Sequence, residues 1–181
     1  GDRDRDRWRA AGSPPLSSPA GGETMRFDLQ RFPAGGSSLT YEQLGELPSD
    51  GKAMYRRLIE LARDAGPSPD GEAFVIIGDL LRSAPVPARV RAGLYRAAAH
   101  IEGVRYVGEV TDQLGRRGLA IELVEQHARQ RLVFDPDTSQ VLAEETVLSQ
   151  REPWLDADPG FVSGYRLVLG QGVVPRDTAR P

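Results

Sequence analysis

Apolar residues follow two rhythms along this chain, helical up to about residue 103 and two-residue beyond it. Met54, Leu58, Leu61, Ala62 and Ala65 recur at helical spacing. Ser49 or Asp50 can cap that helix, and Gly66-Pro67 stops it. A second helix opens with Ser68 as N-cap, Pro69 at its first position and Asp70 complementing the dipole. It continues through Phe74-Val75-Ile76-Ile77 and Leu80-Leu81, with Asp79 and Arg82 its main polar interruptions, so it must be buried around much of its circumference. Pro85-Val86-Pro87 ends it and begins a third, in which Val90, Leu94, Ala97, Ala98 and Ile101 share a face before Gly103 provides a stop.

From residue 104 the period is two. A strand over 104–111 is followed by the turn Asp112-Gln113-Leu114-Gly115, and a second over 117–125 puts Leu119, Ile121 and Leu123 on one face and Glu122 on the other. A third, 130–134, places Leu132 and Phe134 together. The loop Asp135-Pro136-Asp137-Thr138-Ser139 holds Pro136 where a type I turn accepts it, and 140–149 returns antiparallel. After an irregular loop through Pro153, Trp154 and Pro159, a last strand over 161–169 points Phe161, Tyr165, Leu167 and Leu169 one way. Short connections and alternating faces describe an antiparallel β-meander, and about three helices covering one of its faces complete an α+β domain of two layers.

Upstream, residues 1–22 alternate Asp and Arg, pass Trp8 and become rich in Ser, Pro and Gly, which reads as a flexible arm. Residues 23–32 alternate Met25, Phe27 and Leu29 with polar neighbours, a half-buried strand that Pro33-Ala34-Gly35-Gly36-Ser37-Ser38 is expected to break. The expected organisation is one domain over 23–174, part of a larger external domain, with a tail over 175–181. The start at Gly1, within a charged repeat, points to a piece of a longer protein.

Composition narrows the chemistry. Lys and Arg number 23 against 26 Asp and Glu, a net charge of -3 with the signs interspersed, which is a poor footprint for nucleic acid. Without cysteine there is neither disulfide nor thiolate site. His100 lies near the end of the third helix, His127 in a polar turn, and with no second histidine at ligand spacing neither suggests zinc. Asp135 and Asp137 read as turn residues, because a calcium loop is longer and ends in an acidic ligand. Asp156 and Asp158 form a solvated acidic loop, and Ser163 lacks the glycines of a nucleophile elbow. Gly164, Gly170 and Gly172 lie in or after a strand rather than before a helix, so they form no phosphate loop. No catalytic residue, metal site or cofactor is expected. The one feature with a functional edge is the apolar second helix: Phe74, Ile77 and Leu81, with Leu119, Ile121 and Phe134 of the meander, either pack solid or line an apolar groove.

The order Leu47-Pro48-Ser49-Asp50, Ile77-Gly78-Asp79-Leu80-Leu81-Arg82, Leu94-Tyr95-Arg96-Ala97, Gly115-Arg116-Arg117-Gly118, Phe134-Asp135-Pro136-Asp137-Thr138 and Gly172-Val173-Val174 resembles an actinobacterial family of uncharacterised membrane-anchored proteins, often encoded beside extracytoplasmic-function sigma factors. The resemblance covers about residues 39–174 and places the chain in the C-terminal part of an external domain. It departs from the family in Ser139, where the hairpin loop often has Gly, and in carrying no spanning helix. By architecture it implies a likeness to the open half-barrels of the LolA and RseB type. The expected function is a non-enzymatic extracytoplasmic binding or sensing domain, linked to sigma-factor regulation or envelope stress, with an apolar ligand or an envelope protein as partner. A structural interaction module, self-associating through a sheet edge, is the alternative, and a hydrolase a third reading.

Overall fold

The computed structural model describes residues 31–63, 65–66, 68–124, 128–151 and 156–171. The arm with Trp8, the expected strand up to residue 30, His127, Trp154 and everything from residue 172 lie outside the described residues.

Residues 33–38 do not end a strand but turn it back on itself. β1 (Arg31–Ala34) pairs antiparallel with β2 (Ser37–Thr40), Ala34 facing Ser37 across Gly35-Gly36. Gly35 has φ +63, and a Cβ there would lie 2.5 Å from the Leu61 carbonyl oxygen, so glycine serves both the turn and the close approach. Pro33 is tolerated because both strands of a two-stranded sheet are edges. A short helix, α1 (Tyr41–Glu46), follows under a reciprocal cap: Thr40 Oγ1 accepts from Gln43 N at 3.3 Å, and Gln43 Oε1 accepts from Thr40 N at 2.9 Å.

Two of the three longer helices begin at the caps that the sequence offers. In α2 (Gly51–Leu61) the Asp50 carboxylate accepts from Ala53 N, and in α3 (Pro69–Ser83) the Ser68 hydroxyl accepts from Gly71 N. The α3 helix buries Ala73, Phe74, Ile76, Ile77, Leu80 and Leu81, which is why its apolar positions run around the cylinder instead of along one stripe. The fourth, α4 (Ala88–Ala98), ends five residues before Gly103, because Ile101 N bonds Ala98 O in a tighter turn. Gly103, at φ +83, then turns the chain into the sheet.

Five strands follow in chain order: β3 (Val104–Thr111), β4 (Arg117–Val124), β5 (Ala128–Phe134), β6 (Val141–Leu148) and β7 (Val162–Leu167). The sheet is antiparallel and open, with β3 and β7 as its edges, and no barrel closes. Register sorts its faces. Ile121 pairs with Leu132 on the side toward the helices, where Leu123, Leu132 and Val141 join Met54, Leu58, Ile76, Ile77, Leu80 and Leu94 in the main core. Glu122 pairs with Arg131, and Ala120 with Val133 and through it Ala143, on the opposite side.

That opposite face is buried too, although no described helix packs on it. Ala120, Val133 and Ala143 are fully buried in a small cluster with Val110, Leu142 and Leu167, all of them sheet residues or their neighbours. Three of its strands also curl locally. Register shifts after Tyr106, at Leu142 and at Ser163 add one residue each to β3, β6 and β7, and such bulges bend and twist a strand. Packing on this face is close: a Cβ on Gly118 would lie 2.7 Å from Val133 Cγ1 and 3.1 Å from Leu142 Cδ1.

Arg116, in the β3–β4 turn, holds the curl. Its guanidinium donates to the carbonyl oxygens of Leu142 and Val168, each at 2.7 Å, and its Nε to Asp112 Oδ2 at 2.7 Å. The side chain of Asp112, fully buried, also accepts from Leu114 N and Arg116 N. The first hairpin of the sheet is thereby tied to its fourth strand and to the chain leaving its fifth.

Arg116→Ala leaves that carboxylate buried without its cation, and should lower the free energy of unfolding by about 3–5 kcal/mol in a denaturant titration. Asp112→Asn in the same background should recover part of the loss, because the uncompensated charge is then gone.

Candidate functional site

The six residues of the expected groove occupy three kinds of place. Phe74, Ile77 and Leu81 of α3 are all but inaccessible and share the main core with Ile121 of β4. Phe134 is half-buried, its ring 4.7 Å from that of Tyr95 on α4, and Leu119 is also half-buried. Leu81 has a second neighbourhood, because it lines an opening between helices and sheet.

This opening is a recess of about 310 Å³ where α3 ends, α4 begins and the β5–β6 hairpin comes close. Leu81, Ala84, Pro85 and Val86 supply an apolar side, and Ser83, Arg91, Gln140 and Gln171 a polar one. Each wall has a local cause. Pro85 and Pro87 flank Val86 between the helices, where a helical path would lack N–H donors. Arg91 lies one turn before Tyr95 on α4, whose hydroxyl donates to Ser139 O at 3.0 Å and so anchors the hairpin carrying Gln140. Burial pushes the Tyr95 hydroxyl well above its ordinary value, so it remains a donor at any working pH. Gln171 Nε2 donates to the carbonyls of Leu81 (3.1 Å) and Arg82 (2.6 Å), closing the C-terminal end of α3.

Charge in the recess is unbalanced. Arg91 forms no ion pair with a described residue, whereas most other partly buried arginines are engaged: Arg82 with Asp79 and Glu144, Arg116 with Asp112, Arg129 and Arg131 with Glu122. A second hollow, about 440 Å³ beside Gln130, Glu144, Thr146, Gly164, Tyr165 and Arg166, lacks both features. Its Arg166 pairs with Glu144 at 3.2 Å, and no aliphatic side chain lines it.

The largest ionic network lies on the helix-free face. Glu122 accepts from Arg131 (2.6 and 2.8 Å) and from Arg105 (2.9 and 3.2 Å), and Arg131 reaches on to Glu145 at 3.1 Å. Both glutamates are buried, and Glu145 Oε1 has no hydrogen-bond partner. Burial alone would raise the Glu122 carboxyl, but the bonds from Arg131 and Arg105 outweigh it and hold it below its ordinary 4.5. Asp112 behaves alike: burial opposes ionisation, and the bonds from Arg116 and Leu114 N prevail. The sequence signal for this network was the Arg129, Arg131 alternation in β5, set against Glu122 and Glu145 at matching register.

The remaining polar candidates have local roles. Asp135 Oδ1 accepts from Asp137 N, Thr138 N and Thr138 Oγ1, which organises the hairpin turn and lowers its carboxyl. Asp156 and Asp158 are exposed and pair with Arg151. Ser163 donates to Thr146 O at 3.3 Å. His100 is exposed, with its ring 6.2 Å from Tyr55. Among the described residues no group of His, Asp or Glu could hold a metal ion, and no helix is long and apolar enough to cross a membrane.

No protein-family model, curated protein or solved structure matches this chain.

Because the folded state lowers the Glu122 carboxyl, its stabilising contribution is complete above about pH 4.5 and disappears as pH falls through the depressed folded value. Stability measured by urea titration from pH 7 to pH 2 should therefore fall steeply on the acid side. Glu122→Gln should be less stable at pH 7, by about 3–5 kcal/mol, and show a shallower acid slope than the parent. An unchanged slope would remove Glu122 from the acid-sensitive groups.

Proposed function

We propose that this chain is a binding or sensing domain rather than a catalyst, and that the recess at the end of α3 is where it meets its ligand. One observation carries the reading: an apolar wall and an arginine without an ion-pair partner among the described residues face the same opening. Concave sites with mostly fixed walls and a few converging polar groups are the usual form of a ligand site. The walls here belong to elements anchored elsewhere, Leu81 in the core and Gln171 on the helix end, so the opening is held in shape without a ligand.

The charged network of the other face supports the same choice. Its Glu122 carboxylate is tied to guanidiniums and its proton affinity is lowered, the reverse of what a general acid needs near neutral pH. The setting proposed with this function is extracytoplasmic, through an anchor elsewhere in a longer protein and in connection with a sigma factor. That part rests on the family resemblance alone.

Anilinonaphthalene sulfonate, an apolar ring system with one anionic group, is a suitable first probe. The wild-type chain should give saturable one-site fluorescence enhancement in its folded state. Ser83→Trp, which fills the recess from an exposed position, should abolish it without lowering the melting temperature. Enhancement that fails to saturate, or survives Ser83→Trp, would refute the reading.

A further inference from the structure

We infer that the recess reads the free C-terminal carboxylate of a peptide ending in an aliphatic residue; this rests on the binding reading above and specifies its ligand. Size is the first argument. At about 310 Å³ the recess is at the small end of sites that enclose a whole ligand, and it opens outward, so it suits the end of a longer molecule.

Charge is the second. Arg91, half-buried as a residue and without a carboxylate partner among the described residues, is complementary to a planar anion that it can grip through two parallel bonds. The aliphatic side chains of Leu81, Pro85 and Val86 stand in the same recess, so a ligand must bring apolar surface next to its charge.

The amides decide between a peptide and a simple aliphatic acid. The Gln140 side chain bonds no described residue, and Gln171 uses its Nε2 on the end of α3, which leaves its carbonyl oxygen as an acceptor. A hydrocarbon tail covering these groups would desolvate them without replacing their bonds to water, whereas the last peptide unit of a chain offers both an N–H and a C=O. The occupant is therefore a polypeptide end: carboxylate on Arg91, aliphatic terminal side chain on Val86 and Leu81, backbone amide toward Gln140 and Gln171.

The test uses the full chain and a fluorescein-labelled hexapeptide ending in Val-Val, as the free acid and as the C-terminal amide, followed by fluorescence anisotropy. The acid should bind saturably and the amide about tenfold more weakly or worse, the size expected from loss of one charge-assisted hydrogen-bonded pair. Arg91→Gln, checked to melt like the parent, should weaken the acid about tenfold and leave the amide unchanged, with Arg91→Lys in between. If acid and amide bind equally and Ser83→Trp abolishes both, the recess is a ligand site but does not read a carboxylate, and this inference falls while the binding reading stands. Octanoate displacing the probe at lower concentration than unlabelled peptide would overturn the peptide in favour of an acyl ligand. Absence of saturable binding by every probe would defeat both.

Discussion

A five-stranded sheet with apolar residues on both faces carries an extra residue in three of its strands, and the bends that these bulges introduce need something to hold them. The Arg116–Asp112 pair does so. One guanidinium reaches the carbonyls of Leu142 and Val168, while its counter-ion is fixed by two backbone N–H groups within the same turn. The small cluster of Ala120, Val133 and Ala143, the tolerance for Gly118 and the enclosure of Glu122 and Glu145 all follow from this geometry. The pair is also the kind of interaction that is far more costly to break than its net contribution would suggest, because each partner is desolvated for the other's sake.

The period of the apolar pattern made the coarse architecture legible. The caps at Asp50 and Ser68, the burial of Phe74, Ile77 and Leu81, and the strand order β3 to β7 all stand as the spacing predicts. What escaped depends on distance along the chain. Gly35-Gly36 looks like a break in sequence because the partner strand, Ser37–Thr40, is too short to show a period, and the local signal there is the reciprocal cap Thr40–Gln43. Arg116 has no local signal for its role, because its carbonyl acceptors lie 26 and 52 residues downstream. The walls of the recess come from four separate stretches, near residues 81–86, 91, 140 and 171, so no local motif could announce it. Of the two outcomes that the sequence leaves open for these apolar side chains, a solid core or a groove, Phe74, Ile77, Leu81 and Ile121 are found packed together in the main core.

The two faces of the sheet divide the labour between charge that stabilises and charge that remains available. On the helix-free side three arginines and two glutamates meet, and the anions are the limiting component. At the mouth the imbalance is local and open to solvent, and the surrounding surface is neither wholly apolar nor wholly polar. Selectivity at such a place comes from the requirement that one ligand satisfy both kinds of wall at once, since a ligand suited to only one leaves the other unsatisfied.

The extra residue in β3 between Tyr106 and Gly108 was introduced above as a cause of curvature, but it also governs what the outermost strand offers to its surroundings. β3 is exposed along most of its length and carries Tyr106 and Val107 on an edge that pairs with no other strand among the described residues, a combination that in a flat strand would template the addition of further copies. Gly108, at φ +98, interrupts the regular spacing of donors and acceptors midway, so a straight incoming strand can match only a few residues before losing register. The irregularity that bends the strand thus also shortens the stretch of regular edge to which a further strand could pair.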